Sequence, residues 1–250
     1  MIEIFILSLI QGIAEFLPIS SSSHLIIISE FINFQQQDLI IDVSLHIGSF
    51  IAVIVYFQKD LLSFFRNKKL FLKIIIASLP VMLIGFLLVH TGLIEKIRNI
   101  KVIGWTTLIF GVLLFVSDQF KLDNHLYKNL NYRTAIIIGL FQVLSLIPGV
   151  SRSGITITAA RFLNFNRVDS AKISFLLSIP TLGAVSIFGI MSLLSSENAD
   201  FSSLSLFCIL LSFTFSYITI KFFLKFLRRF DLKVFVIYRV LLGIGILLLA

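Results

Sequence analysis

At 250 residues, 58% hydrophobic and only 14% charged, the chain has a mean hydropathy of +1.03; soluble domains carry roughly 45–50% apolar residues, so a water-soluble globular fold is excluded. Its formal charge of +8 lies in short stretches between apolar runs, not in a basic stripe with interleaved aromatics, which excludes a nucleic-acid partner. The lone Cys208 permits neither an intrachain disulfide nor a paired-cysteine metal or redox motif, and reads as a small core- or lipid-facing residue.

The first apolar stretch, Glu3–Phe31, has no basic segment before it and no A-x-A cleavage pattern after Leu17, so it reads as mature protein and not as a signal peptide. It is interrupted by Pro18 and four serines, Ser20 to Ser23. Gln11 and Glu15 stand one helical turn apart before the interruption, and His24 follows it. Backbone that leaves the helix at membrane depth survives only where protein or a water-filled cavity satisfies its N–H and C=O groups. The break therefore marks a cavity, and the carboxylate, amide, hydroxyls and imidazole beside it mark a site.

Three stretches near the length of about 20 residues that crosses a hydrocarbon core follow, Leu39–Phe57, Leu70–His90 and Lys101–Ser117. Asp42 and His46 open the first, where they either support the site or face the outer surface. After the polar linker Asp118–Arg133 the pattern repeats. Thr134–Leu163 is broken at Pro148, where Gly149, Ser151, Arg152, Ser153, Gly154 and Thr156 cluster, and Lys172–Leu194, Leu204–Phe223 and Val234–Ala250 follow as three more spans. Pro80 and Pro180 lack such clusters and read as simple kinks.

The chain thus reads as one all-α membrane domain of six transmembrane helices and two re-entrant broken segments. It is built from two repeats, 1–117 and 134–250, joined by the linker 118–133. An offset of 130 places Pro18 on Pro148 and Ser21 on Ser151. Three crossings per half invert the second half relative to the first, an arrangement that forms sites near the midplane. Gln58–Lys73 and Lys221–Lys233 hold five basic residues each, whereas Phe31–Asp38 and Ser195–Ser203 hold none. The positive-inside rule then puts the first pair in the cytoplasm and the second pair outside. One loop fits poorly: Thr91–Ile100, predicted external, contains Lys96 and Arg98.

Three arginines lie within apolar stretches, where a charge is costly. Arg152 stands at the second break. Arg161, near the end of its half-helix, is expected to snorkel towards water. Arg239, about two turns into the last span, is either a structural ion pair or a member of the site.

The chemistry these breaks support is that of phosphate. Ser20–Ser23 and Ser151–Gly154 open half-helices, whose N-termini offer free N–H groups and partial positive charge to an anion. Arg152 adds a planar donor fork suited to phosphate oxygens, and Gly149 and Gly154 allow close backbone approach. Two candidates for the attacking group stay open, Ser21 with His24 as its base, or water with Glu15 as its base. A lipid carrier or flippase is the rival class, since broken helices in inverted repeats also build transporters.

The motifs Gln11-Gly-Ile-Ala-Glu15-Phe-Leu-Pro18-Ile-Ser-Ser-Ser-Ser-His24 and Pro148-Gly-Val-Ser151-Arg152-Ser153-Gly-Ile-Thr156 closely resemble those of the integral-membrane undecaprenyl-pyrophosphate phosphatase family associated with bacitracin resistance. The resemblance extends through Asp42 to His46, Ser174 to Pro180 and Tyr238-Arg239. It implies removal of the terminal phosphate from undecaprenyl pyrophosphate, which recycles the lipid carrier of cell-wall synthesis in the bacterial cytoplasmic membrane. It also implies a divalent metal, Mg²⁺ or another such as Ca²⁺, held at Glu15. Catalytic roles fall on Glu15, Ser21, His24 and Arg152, and substrate binding on Gln11, Ser22, Gly149, Ser151, Ser153 and Thr156. Two positions depart from the family pattern: Gln11 stands where a second glutamate is common, and Ser22-Ser23 replace a Thr-Gly pair. The partners expected are the polyprenyl pyrophosphate and membrane lipids, with homodimer formation open and the active site opening to the outer face.

Overall fold

Every one of the six unbroken apolar stretches folds as a helix, as a membrane solvent without hydrogen-bonding groups requires. The computed structural model describes residues 2–21, 23–25, 39–66, 68–93, 99–120, 124–194 and 203–249. Ser22, Lys96, Arg98 and the stretches 31–38 and 195–202 lie outside these residues. In chain order the helices are α1 (Ile2–Ala14), α2 (Leu39–Tyr56), α3 (Gln58–Arg66), α4 (Lys68–His90), α5 (Ile100–Asp118), α6 (Leu126–Asn129), α7 (Tyr132–Val143), α8 (Arg152–Phe162), α9 (Arg167–Leu194), α10 (Ser203–Phe226) and α11 (Lys233–Leu249). Among the described residues the only β-pairing is an isolated bridge between Asn124 and Phe165. Pro80 and Pro180 sit inside the continuous helices α4 and α9.

Four helices, α4, α5, α9 and α10, are long and apolar enough to cross a bilayer. Their outward faces stay apolar: Leu83, Phe86 and Leu87 on α4 and Leu206, Leu210 and Phe222 on α10 are exposed. A chain with such faces is a multi-pass membrane protein, its outer surface matched to lipid.

Helix packing in lipid depends on close fit and small residues, because lipid tails are as apolar as the helices themselves. α2 and α10 pack extensively along a seam of small residues. A Cβ on Gly48 would lie 2.5 Å from the Ile209 carbonyl oxygen, and the Ser49 hydroxyl meets Ser212 at 3.2 Å and Ser216 at 3.0 Å. The other contacts come in matching pairs: α1 lies on α10 as α7 lies on α4, and α2 packs on α10 as α9 packs on α4. α2 also meets α9, and α5 meets α11. Phe175 of α9 joins the elements at the centre, its ring against Phe16, Phe57 and Phe223.

The polar segments gather at one end. Asp118 accepts from Arg167 Nε at 2.7 Å, from Arg167 Nη2 at 3.0 Å and from the Leu232 amide at 3.0 Å. Lys73 Nζ donates to the Leu130 carbonyl at 2.6 Å, and the Tyr127 hydroxyl donates to Asp60. Burial, aided by that bond and by the charge of Asp60, pushes the Tyr127 phenol upward, so it stays a donor. Arg161 belongs to this end and does not snorkel. Its side chain is buried, donates to the Phe165 carbonyl at 2.8 Å and lies 3.5 Å from the Asp118 carboxylate, because a carboxylate and free carbonyls are nearer than water.

Candidate active site

The two breaks use the same backbone device. After α1 the chain turns through Glu15–Ile19 and re-enters helical geometry at Ser21; after α7 it passes through a 3-10 turn, Leu144–Leu146, and re-enters at Arg152. The residue just before each new helix is a serine with positive φ, 73° at Ser20 and 70° at Ser151. Positive φ is costly for a residue with a Cβ and persists where surroundings over-determine it, often at functional sites. Ser151 is the N-cap of α8, its hydroxyl accepting from the Gly154 amide at 3.1 Å. The strained serines match at an offset of 131, not the 130 that aligns the prolines. The point where each chain re-enters the helix, not the proline, sets the correspondence.

Across the interface the two breaks meet. Arg152 Nη2 donates to Glu15 Oε1 at 3.0 Å, and Arg152 Nη1 donates to the Ser174 carbonyl at 3.3 Å. The other carboxylate oxygen, Oε2, accepts from the Ser21 hydroxyl at 2.8 Å and from Gln11 Nε2 at 3.2 Å. Ser153, buried, donates to the Leu17 carbonyl at 2.7 Å and joins the breaks a second time. The ion pair is held away from solvent, with the Glu15 and Arg152 side chains 8% and 14% exposed.

Arg239 makes the third join. It is fully buried, and among the described residues it pairs with carbonyls and not with a carboxylate. Its guanidinium donates to Gly149 O at 2.9 Å, Val150 O at 3.0 Å, Pro18 O at 3.3 Å and Thr107 O at 3.2 Å. A break at membrane depth strands such carbonyls, and one delocalised cation here satisfies those of both. Of the two roles that the sequence offered, the ion pair is therefore not made among the described residues, and Arg239 holds the backbone of both breaks.

A cavity of about 200 Å³ opens at this junction, lined by Glu15, Ser20, Ser21, Gln142, Ser145, Ser151 and Arg152. Val81, Leu146, Leu182 and Val185 form its apolar wall. His46, for which the sequence left both the site and the outer surface open, lines it too, its Nδ1 held by the Asp42 carbonyl at 2.8 Å.

Of the residues singled out in the sequence, Glu15, Ser21, Ser151 and Arg152 line this cavity, and Gln11 supports Glu15 from behind. His24 does not reach Ser21. Its Nδ1 contacts the Ser20 carbonyl at 2.6 Å and its Nε2 the Tyr238 hydroxyl. A carbonyl can only accept, so Nδ1 carries the proton and Nε2 accepts from Tyr238. Ser21 pairs instead with Glu15. Thr156 is buried on α8, bonded to Ser174 Oγ at 2.8 Å, and Ser153 ties the breaks. Gly149 faces α5: its φ is +93°, and a Cβ there would stand 2.0 Å from Thr106 Oγ1. These three therefore build the break and do not line the cavity. Gln142, Ser145, Thr181, Ser174 and Tyr238 went unassigned in the sequence because nothing in their spacing separates them from ordinary helix polar residues.

The oxygen donors suit a hard cation. Gln11 Oε1 is a buried acceptor without a hydrogen-bond partner, next to the Glu15 carboxylate and the Ser21 hydroxyl, the ligand type that Mg²⁺ and Ca²⁺ prefer. Among the described residues no three His, Cys, Asp or Glu side chains converge, so protein ligands alone would not complete such a site.

The chain matches the family model described as bacitracin resistance protein BacA over residues 4–245. It is 50% identical over 244 residues to the undecaprenyl-diphosphatase of Pelagibacter ubique, covering 97% of this chain and 95% of that protein. It is 43% identical over 259 residues to the undecaprenyl-diphosphatase of Teredinibacter turnerae, covering 98% and 97%. To that of Jannaschia sp. it is 38% identical over 260 residues, covering 99% and 97%.

Proposed function

The chain belongs to the bacitracin resistance protein BacA family, and from that premise we propose that it is a membrane phosphatase that removes the terminal phosphate of undecaprenyl diphosphate, the substrate for which its relatives are named. The observation that carries this reading is the junction of Glu15, Arg152 and Ser21 from two separate breaks in one cavity. A carrier needs a grip on phosphate; it does not need a hydroxyl hydrogen-bonded to a carboxylate beside that grip. The cavity of about 200 Å³ is smaller than the roughly 300–1,000 Å³ of drug-sized pockets. It suits a pyrophosphate head, with the prenyl chain left in lipid along the apolar wall.

In this mechanism the pyrophosphate takes the Arg152 fork and lies at the positive N-terminal end of α8. Arg152 then shares its charge with the substrate, and Glu15 loses part of its counter-charge as it must accept a proton. Ser21 Oγ attacks the terminal phosphorus and its proton passes to Glu15. The bond from that phosphorus to the bridging oxygen breaks, and undecaprenyl phosphate leaves with the electron pair. Water then cleaves the phosphoserine to release inorganic phosphate. His24, anchored to the Ser20 carbonyl, holds the strained turn from which Ser21 projects. A divalent cation held by Glu15, Gln11 Oε1 and substrate oxygens would neutralise developing phosphate charge.

The packing supports an inverted repeat of 1–117 and 134–250 with six spans: the paired contacts of α1 on α10 and α7 on α4 exchange the halves. The gathering of Asp60 and Lys73 with Tyr127 and Leu130, and of Asp118 with Arg167 and Leu232, at one end supports a cytoplasmic face there. His46, about two turns in from the Leu39 end of α2, lines the cavity, which fits an outward-opening site in the bacterial cytoplasmic membrane.

The test is phosphate release from farnesyl pyrophosphate by detergent-purified protein, followed by rapid quench. Release with a phosphoserine that is absent in Ser21→Ala supports the whole scheme. Release without it, with Ser21→Ala active within about tenfold, transfers the attack to water. No release under any divalent metal would leave a carrier as the function.

A further inference from the structure

One polar side chain in the cavity has no role in the mechanism above. Gln142 ends α7 one turn before the second break; it is fully buried, lines the cavity, and neither its Nε2 nor its Oε1 has a hydrogen-bond partner. It takes the place on α7 that Gln11 takes on α1, each on the helix leading into its break. The resemblance ends at the amide. Gln11 Nε2 is bound to Glu15, whereas Gln142 lines the cavity with both functional atoms buried and unpartnered.

A buried amide without partners is costly, and evolution can remove that cost with an apolar residue of equal volume. Gln142 therefore has a partner that arrives from outside. An apolar occupant would leave both atoms unsatisfied, so the partner carries hydrogen-bonding atoms. The cavity's other groups decide its charge: Arg152 and the N-terminus of α8 favour anionic oxygens. A carboxylate at this position would repel such an anion and Glu15 alike, while an amide donates two N–H groups and adds no charge.

We infer that Gln142 is a phosphate-binding residue, its Nε2 donating to a non-bridging oxygen of the pyrophosphate from the side opposite Glu15. This rests on the phosphatase reading for its natural ligand, but not for the class of ligand, a pyrophosphate anion. The hydrogen bond forms in the bound ground state and is kept as the phosphorus reacts. Its loss therefore raises KM and leaves kcat nearly unchanged.

Gln142→Met preserves length and volume and removes both polar atoms; Gln142→Glu preserves shape and acceptor but replaces the donors with charge. With farnesyl pyrophosphate, Gln142→Met is expected to raise KM by about 10–100-fold with kcat within about threefold, and Gln142→Glu to raise it further. In thermal unfolding, Gln142→Met is expected to match or exceed the wild type without ligand. Inorganic pyrophosphate, which stabilises the wild type, is expected to give no shift in Gln142→Met. Wild-type KM in both variants would overturn the inference and leave the phosphatase intact. A melting temperature lowered in Gln142→Met would overturn it too, because the amide would then be a structural strut. A loss confined to kcat would overturn the ground-state contact. If the wild type releases no phosphate but is stabilised by pyrophosphate, and Gln142→Met is not, the phosphatase reading fails and the anion contact stands.

Discussion

At the scale of single residues, the Glu15–Arg152 pair has two effects that a variant must separate. Removing Arg152 takes away the phosphate fork and also leaves a carboxylate buried without its cation, a loss of about 3–5 kcal/mol when a buried pair is broken from one side. Arg152→Met is therefore expected to be both inactive and destabilised. Glu15→Gln with Arg152→Met is expected to regain most of the stability and none of the activity, which thermal unfolding beside phosphate release would check. Additive losses would mean that the two charges do not depend on each other. The residue types at this junction were legible from sequence because a carboxylate and an arginine in apolar chain have few harmless explanations. Their partners were not. Ser21 and His24 stand one helical turn apart, yet His24 turns to Tyr238, some 200 residues away in sequence, and Ser21 turns back to Glu15; spacing along a helix cannot rank those choices at a break.

At the scale of elements, each break is a helix that stops, turns and starts again after one serine of positive φ. Prolines and serine clusters announced both of them. What the sequence concealed was how the stranded carbonyls are satisfied, since the answer comes from α11, 221 residues beyond Pro18 and 90 beyond Gly149. Arg239→Lys keeps a charge but offers no planar fork for Gly149, Val150, Pro18 and Thr107. It is expected to lose about 3 kcal/mol or more, two charge-assisted hydrogen bonds' worth, read as a lower unfolding temperature with activity lost in parallel. Gly149→Ala combines positive φ with a Cβ 2.0 Å from Thr106 Oγ1, and is expected to destabilise by about 2–5 kcal/mol. Ser151→Gly makes a useful contrast: it relieves the φ of 70° at the expense of the cap, so stability near the wild type is expected, whereas Ser151→Ala should fall by about 1 kcal/mol. Equal losses in the two Ser151 variants would show that the backbone there is not strained.

At the scale of the whole molecule, the arrangement of apolar runs and basic loops was enough to anticipate an all-helical membrane protein with paired breaks. Helix-to-helix neighbours were beyond it, because small-residue seams such as Ser49 with Ser212 and Ser216 look like any other serines in a hydrophobic run. The inverted arrangement predicts that, in a Cys208→Ser background, cysteines placed at Lys69 and Arg229 react only with cytoplasmic reagent and those at Gln36 and Asn198 only with external reagent; labelling of all four from one side would rule it out. The reach of Arg239 has a further consequence for biosynthesis. Pro18 is made 221 residues before Arg239, yet the carbonyl of one waits for the guanidinium of the other. Nascent chains must therefore hold an unfinished active site in the bilayer until α11 is inserted. Polypeptides stalled short of that helix should integrate into membranes, remain open to protease at both breaks, and acquire catalytic competence only when synthesis is allowed to continue past it.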